Sequence, residues 1–268
     1  MRTLLLAVPA VLLTLPACGP AAGTLELAIY GESYVEEGIP AADVHDGWGV
    51  KFATFLIAVG PVSAARGHGQ PDLEDNTVRV FNLARPSGGQ GHLVLSAMVP
   101  GGTYDHVAYR VAPPPASAQM GNATAAERDL LVQRGHSIYV EGTATKERTT
   151  KRFRWGFSTR TFYKGCHTKA EVSGGTARIQ LTIHADHLFY DDLVDPEPRV
   201  AFDLIASADR DGDGEVTQAE LAALDLSTQE RYQVGGTGIR DLWSFLAYQT
   251  GSMGHIDGEG HCSGTERQ

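Results

Sequence analysis

Residues 177–184 read ARIQLTIH, with apolar side chains at every second position from Ala177 to Ile183. In an extended chain successive side chains point to opposite faces. Ile179, Leu181 and Ile183 therefore share one face, while Arg178, Gln180 and His184 share the other. The same period of two recurs upstream in TLELAIY (24–30), VKFATFLIAV (50–59), TVRVFNL (77–83) and HLVLSAMV (92–99). It appears again in HVAYRV (106–111), SIYVEGTA (137–144) and KRFRWGF (151–157). Clusters of Gly, Pro, Asp and Asn such as PSGGQG (86–91) and VPGGTYD (99–105) separate these runs. Many short strands with one polar face predict a mainly β chain, a β-sandwich with Greek-key-like connections over 24–195. No alternation of strand with helix suggests a parallel α/β fold.

The longest interruption, APPPASAQMGNATAAERDLLVQRG (112–135), predicts a proline-rich surface excursion with a short helix over AAERDLLVQ. From Pro196 onward the period turns helical, first through Val200, Phe202, Leu204 and Ile205, later in IRDLWSFLAYQT (239–250). Trp243 and Phe245 in that helix are expected to pack on the sheet, and Trp48 to enter the core at a strand start. The region 196–268 is thus expected to be a C-terminal α-helical segment with a polar tail.

Between the first helical runs lies ADRDGDGEVTQAEL (208–221). A hard cation such as calcium needs six to eight oxygens in set directions, and alternate positions of a twelve-residue loop can supply them. Counting from Asp209, the carboxylates of Asp211 and Asp213 fall at positions 3 and 5, and Gly214 stands at the sharp turn of position 6. Glu215 offers its carbonyl, Thr217 its hydroxyl directly or through water, and Glu220 both carboxylate oxygens at position 12. Val216 fills position 8 with a small apolar side chain. The segment resembles the EF-hand loop, over the loop and its flanks only, which implies calcium as a ligand. No second loop of this kind is present in the sequence, because DLEDN (72–76) lacks the glycine and the terminal Glu, and HIDGEGH (255–261) is too short. A lone loop argues for a structural ion rather than a calcium switch.

Arg2 precedes the apolar run LLLAVPAVLLTL, which ends in Leu15-Pro16-Ala17-Cys18. This resembles the bacterial lipobox, implying a signal peptide over 1–17, lipid attachment at Cys18 and a short tether over 18–23. Gly19 after the cysteine favours the outer membrane of the cell envelope. The formal charge of −10 becomes −11 once the segment holding Arg2 is removed. An acidic chain without a basic stripe argues against nucleic acid as a partner. The two remaining cysteines, Cys166 and Cys262, are expected to pair as a disulfide in an exported protein. That bond would bring His167 and His261 into one neighbourhood.

The stretch TIHADHLFYDDL (182–193) holds His184 and, just past the strand end, His187. Two imidazoles three residues apart hold a borderline metal such as copper or zinc if a third ligand arrives from elsewhere. The candidates are His255 and His261 in the tail, and Asp186, Asp191 or Asp192 nearby. The competing reading gives His187 a hydrogen-bonding role in ordering the turn. No nucleophile elbow, H-E-x-x-H or phosphate loop is present. The sequence therefore points to a calcium-binding structural or binding module, then to a transition-metal-binding lipoprotein, and last to an envelope hydrolase.

Overall fold

The computed structural model describes residues 19–267, so the signal-like segment and Cys18 lie outside the described residues. Strands make up 42% and helices 16% of the chain, which is therefore mainly β. In chain order the strands are β1 (Gly23–Tyr30), β2 (Gly49–Ala65), β3 (Leu73–Asp75), β4 (Arg79–Asn82), β5 (His92–Val99), β6 (Gly102–Val111) and β7 (Gln119–Met120). They continue as β8 (Ile138–Lys146), β9 (Thr149–Phe157), β10 (Thr161–Val172), β11 (Thr176–Ile183), β12 (Glu215–Val216), β13 (Gly254–Ile256) and β14 (Glu266–Arg267). The helices are α1 (Glu32–Glu36), α2 (Ala125–Arg134), α3 (Asp203–Ser207), α4 (Gln218–Ala222) and α5 (Leu242–Gln249). None is long and apolar enough to cross a membrane.

Two sheets form. The smaller runs β13-β11-β1-β5, and the larger follows the path β12-β9-β8-β2-β6-β10-β14 with β3 and β4 on β2 and β7 on β4. Short turns between β5 and β6 and between β10 and β11 carry the chain from one sheet to the other. β1 and β11 pair in parallel, Leu27 opposite Ile179, although most of the chain separates them. One apolar cluster runs through both sheets, from Leu25, Leu27 and Ile29 through Phe55, Tyr104, Trp155 and Ile179 to Phe245 and Ile256. Each of its large side chains contributes about 1.5–3 kcal/mol by leaving water.

The run FLIAV in β2 loses its alternation for a physical reason. Phe55, Ile57 and Val59 face the main core, while Leu56 and Ala58 face a second cluster with Val80, Ala123 and Leu131. Leu131 belongs to α2, so the expected surface excursion folds back as a lid on the outer face of β2. Thr124 caps that helix in a reciprocal box with Glu127, and Gly135 closes it in the left-handed region at φ 65°.

β10 is absent from the period-two reading, and its register explains why. Thr161 and Tyr163 are buried, then the inward positions move to Cys166, Thr168, Ala170 and Val172. The shift falls between Tyr163 and Cys166, where Gly165 takes φ +61° and inserts a bulge. Each half alternates, but the two halves are out of phase. Trp48 is buried, its indole N–H donating to Asp203 at 2.7 Å, and Trp243 stacks on Phe157 at 4.8 Å between centroids. Both therefore pack in the fold as expected. Cys166 and Cys262 lie at disulfide distance, with sulfurs 2.00 Å apart, and tie the tail to β10 across 96 residues. A bond closing a loop of that length contributes about 2–4 kcal/mol.

Candidate metal centres

Among the described residues, two groups of three metal-ligating side chains each bring one ligand atom within 4.8 Å of the others, one of histidines and one of carboxylates. The histidine cluster forms where β11 ends. His184 follows the last strand residue, and the next turn, a 3-10 helix over Ala185–Phe189, brings His187 back over it. β13 runs antiparallel beside β11 with Thr182 opposite His255, which delivers the third ring from the tail. One nitrogen from each of His184, His187 and His255 lies within 4.8 Å of the others. Two ligands about 2 Å from one ion stand no more than about 4 Å apart, so the three nitrogens lie in the range from which one ion can be held.

Hydrogen bonds to neighbouring groups set which nitrogen of each ring is free. His184 Nε2 sits 3.1 Å from the Gly258 carbonyl and donates to it, leaving Nδ1 with its lone pair. The Ser252 hydroxyl gives its proton to the Gln249 carbonyl at 2.8 Å, so it accepts from His187 Nδ1 at 3.3 Å. His187 Nε2 is then the free atom. His255 Nδ1 is buried and has no hydrogen-bond partner. An orphaned buried nitrogen costs about 1–3 kcal/mol unless something fills its lone pair. Burial, then the neighbouring His184, His187 and His261, push the His255 imidazole down to about 3. Burial likewise lowers His187. Both rings are thus kept neutral, the form that binds metal.

The other sequence candidates are placed differently. His261 touches the cluster from outside, its ring 4.8 Å from that of His255. Asp191 is held by Arg199 and Arg231 at 2.9 and 3.1 Å, and the Asp192 carboxylate accepts from the amides of Val194 and Asp195. Neither carboxylate joins the histidine group. Asp186 accepts from the Tyr190 hydroxyl at 3.1 Å. His167 and His261 engage different neighbours, His106 and His255, on either side of the bridged cysteines.

Three participants escaped the sequence reading. Glu32 places a carboxylate 3.7 Å from His184 Nε2, and Ser252 and Gly258 orient two of the rings. Glu32 and Asp257 hold φ +57° and +47°, two of the three non-glycine residues in the left-handed region among the described residues. Both flank this cluster, where backbone strain needs support from the surrounding structure. The signal for Gly258 was the segment HIDGEGH, which makes a tight turn with Ile256 and Gly260 bonded to each other in both directions.

The carboxylate cluster spans the loop after α3 and the first turn of α4. Asp209, Asp211 and Glu220 each bring one oxygen within 4.8 Å of the others. Backbone amides hold these side chains in place: Gly212 and Gly214 donate to Asp209, Asp213 to Asp211, and Arg210 to Glu220. Gly212 and Gly214 take φ +75° and +81°, which a side chain would strain. Asp213 is not part of the close group, and its carboxylate accepts from the Glu215 amide at 2.6 Å. Thr217 caps α4 in a reciprocal box with Glu220. Glu215 and Val216 form β12, which pairs with Arg152 and Phe153 of β9, and the Val216 carbonyl accepts from the Trp155 indole at 2.8 Å.

Lys151 of β9 donates its ammonium to Asp209, and this bond is the largest cause holding that carboxyl below its ordinary range. The lysine places one positive charge at the site a divalent ion would share. Replacing Lys151 by Met is expected to raise calcium affinity several-fold, measured by titration against a chromophoric chelator. An unchanged or weakened affinity would show that the ammonium does not compete. Comparison of the chain with protein-family models, with curated proteins and with solved structures finds no match.

Proposed function

We propose that this is an exported, lipid-anchored envelope protein that binds a transition metal, copper or zinc, and carries calcium as a structural ion. The single observation that supports the transition-metal reading is His255 Nδ1, buried, neutral and unpaired beside two histidines whose tautomers free a nitrogen each. Neutral imidazoles suit borderline ions, and the carbonyl and hydroxyl behind two of them supply the outer support that such ligands need. The role is binding or sequestration.

Calcium belongs to the loop 209–220, read as a single EF-hand-like element with its own flanking helices. The convergence of Asp209, Asp211 and Glu220 supports it, as does the pairing of β12 with β9. That pairing gives the lone loop a sheet edge to lean on where paired loops would lean on each other. The two-sheet core supports the finer reading as a β-sandwich with Greek-key-like connections. Metal analysis of untagged protein tests both sites: one calcium and a stoichiometric copper or zinc are expected. Calcium alone would remove the histidine reading and leave the structural one.

The anchor rests on the lipobox-like Leu15-Pro16-Ala17-Cys18. Two or more acyl chains, at ~0.8 kcal/mol per buried CH₂, hold a protein to a bilayer without an apolar surface patch. Cys18→Ala is expected to move the protein from the detergent phase to the aqueous phase in a partitioning assay. A variant that still enters detergent would overturn the anchor.

A further inference from the structure

We propose that His68, His106 and His167 form a second transition-metal site, open to solvent and separate from the buried centre. His106 and His167 come from neighbouring strands of the large sheet, and His68 from the turn that follows β2, the strand on the other side of β6. His106 of β6 stands directly opposite His167 of β10 and, on its other side, opposite Ala65 of β2, three residues before His68. Residues directly opposed across an antiparallel pair place their Cβ atoms about 5 Å apart, a span that two imidazoles close onto one ion. The ring centroids of His68 and His106 are 4.4 Å apart, and those of His106 and His167 are 4.8 Å apart. The three rings do not each bring a nitrogen within 4.8 Å of the others, so binding requires the exposed rings of His68 and His167 to turn toward His106 Nε2.

The central ring is oriented for a ligand. Asp105 Oδ1 lies 2.7 Å from His106 Nδ1 and accepts its proton, and the same oxygen accepts from the Gly67 amide at 2.6 Å. One carboxylate therefore fixes the tautomer of His106 and ties down the loop that carries His68. A carboxylate behind an imidazole raises the basicity of the opposite nitrogen. That nitrogen, His106 Nε2, is buried and has no hydrogen-bond partner. Its lone pair, flanked by two more imidazoles, calls for a cation and repels an anion. Nitrogen donors select copper(II) or zinc over calcium.

The site shares no residue with the buried centre, and its exposed members, His68 and His167, make it accessible where His184 and His255 are not. Seven of the ten histidines thus fall into two groups. The Cys166–Cys262 pair lies between them, each cysteine next in sequence to a histidine of one group.

The test is equilibrium dialysis of the calcium-saturated, untagged full chain against zinc and, separately, copper(II). Four forms are compared: wild type, His255→Leu, His167→Ala and the double variant. Two equivalents are expected for wild type, one for each single variant and none for the double. His167→Ala is expected to weaken the surface equivalent by at least tenfold, and as an exposed position it leaves the fold intact. Copper(II) spectra should resolve two species in wild type and one, different, in each single variant. A His255→Leu chain that binds nothing would overturn the proposal, as would a residual equivalent untouched by His167→Ala. One equivalent in wild type, lost on His167→Ala and kept in His255→Leu, would instead refute the buried centre and leave the surface site standing.

Discussion

His255→Leu is expected to abolish stoichiometric copper or zinc binding at the buried centre while leaving the metal-free protein at least as stable as wild type. The leucine is near the imidazole in volume and apolar, so it fills the same space without the orphaned Nδ1. Replacing an unsatisfied buried polar atom by an apolar group is neutral to stabilising. Loss of outer-shell partners alone costs roughly 10–100-fold in metal affinity, so loss of a ligand should exceed about a hundredfold. Isothermal titration measures the first effect and metal-free thermal melting the second. A variant that still binds one equivalent with unchanged affinity in a His167→Ala background would refute the centre.

The same residue sets a pH dependence in the metal-free state. Burial holds His255 down to about 3, below the ordinary histidine value of about 6.5 in the unfolded chain. Between those values the unfolded state binds more protons, so stability rises with pH there. The contribution is complete above pH about 6.5 and is lost as pH falls toward about 3, at up to 1.36 kcal/mol per pH unit. His187, also lowered by burial, adds in the same direction. For metal binding the consequence is that these two rings resist proton competition to below the ordinary histidine range. His255→Leu should flatten the melting temperature between pH 6.5 and 4, and an unchanged pH profile would show that His255 protonates freely in the folded state.

Chelating calcium should produce the other large change. An ion that binds only the folded state stabilises it by about 2.7 kcal/mol at a hundredfold excess over its Kd. For a chain of this size that corresponds to a fall of roughly 5–10 °C in melting temperature on adding EDTA. Glu220→Gln isolates the cause. Glutamine retains the capping interaction with Thr217, so α4 keeps its start, while one carboxylate oxygen and its charge are lost to the ion. The variant should melt near the EDTA-treated wild type and respond little to chelator. Wild-type protein that melts identically with and without EDTA would remove the structural-calcium reading.

Much of this was legible in the residues alone. Period-two patterns placed HLVLSAMV and KRFRWGF in strands because alternation records which face of a strand is buried, and that information is local. The oxygen ligands proposed within 209–220 are read on the same local ground, since a loop that wraps one ion carries its ligands at alternate positions, and of them Asp209, Asp211 and Glu220 come together. The pairing of Cys166 with Cys262 was expected because two thiols remain in a chain read as exported, and the two sulfurs do lie at disulfide distance.

What the sequence could not decide were relations between distant segments. β10 vanished from the pattern because the bulge at Gly165 changes phase in mid-strand, and only pairing with β6 shows the two halves to be one element. His255 reaches His184 because β13 chooses the edge of β11, a choice set by the burial of Ile256 against Leu181 and not by any local signal. His68 and His106 carried no signal in the sequence, and His167 was expected beside His261, since registry between neighbouring strands is a property of the sheet. The free nitrogen on each ring depends on a carbonyl, a hydroxyl or a carboxylate supplied by the surrounding fold. Strand identity and ligand type are written along the chain; which ligands meet is settled by which surfaces must be buried together.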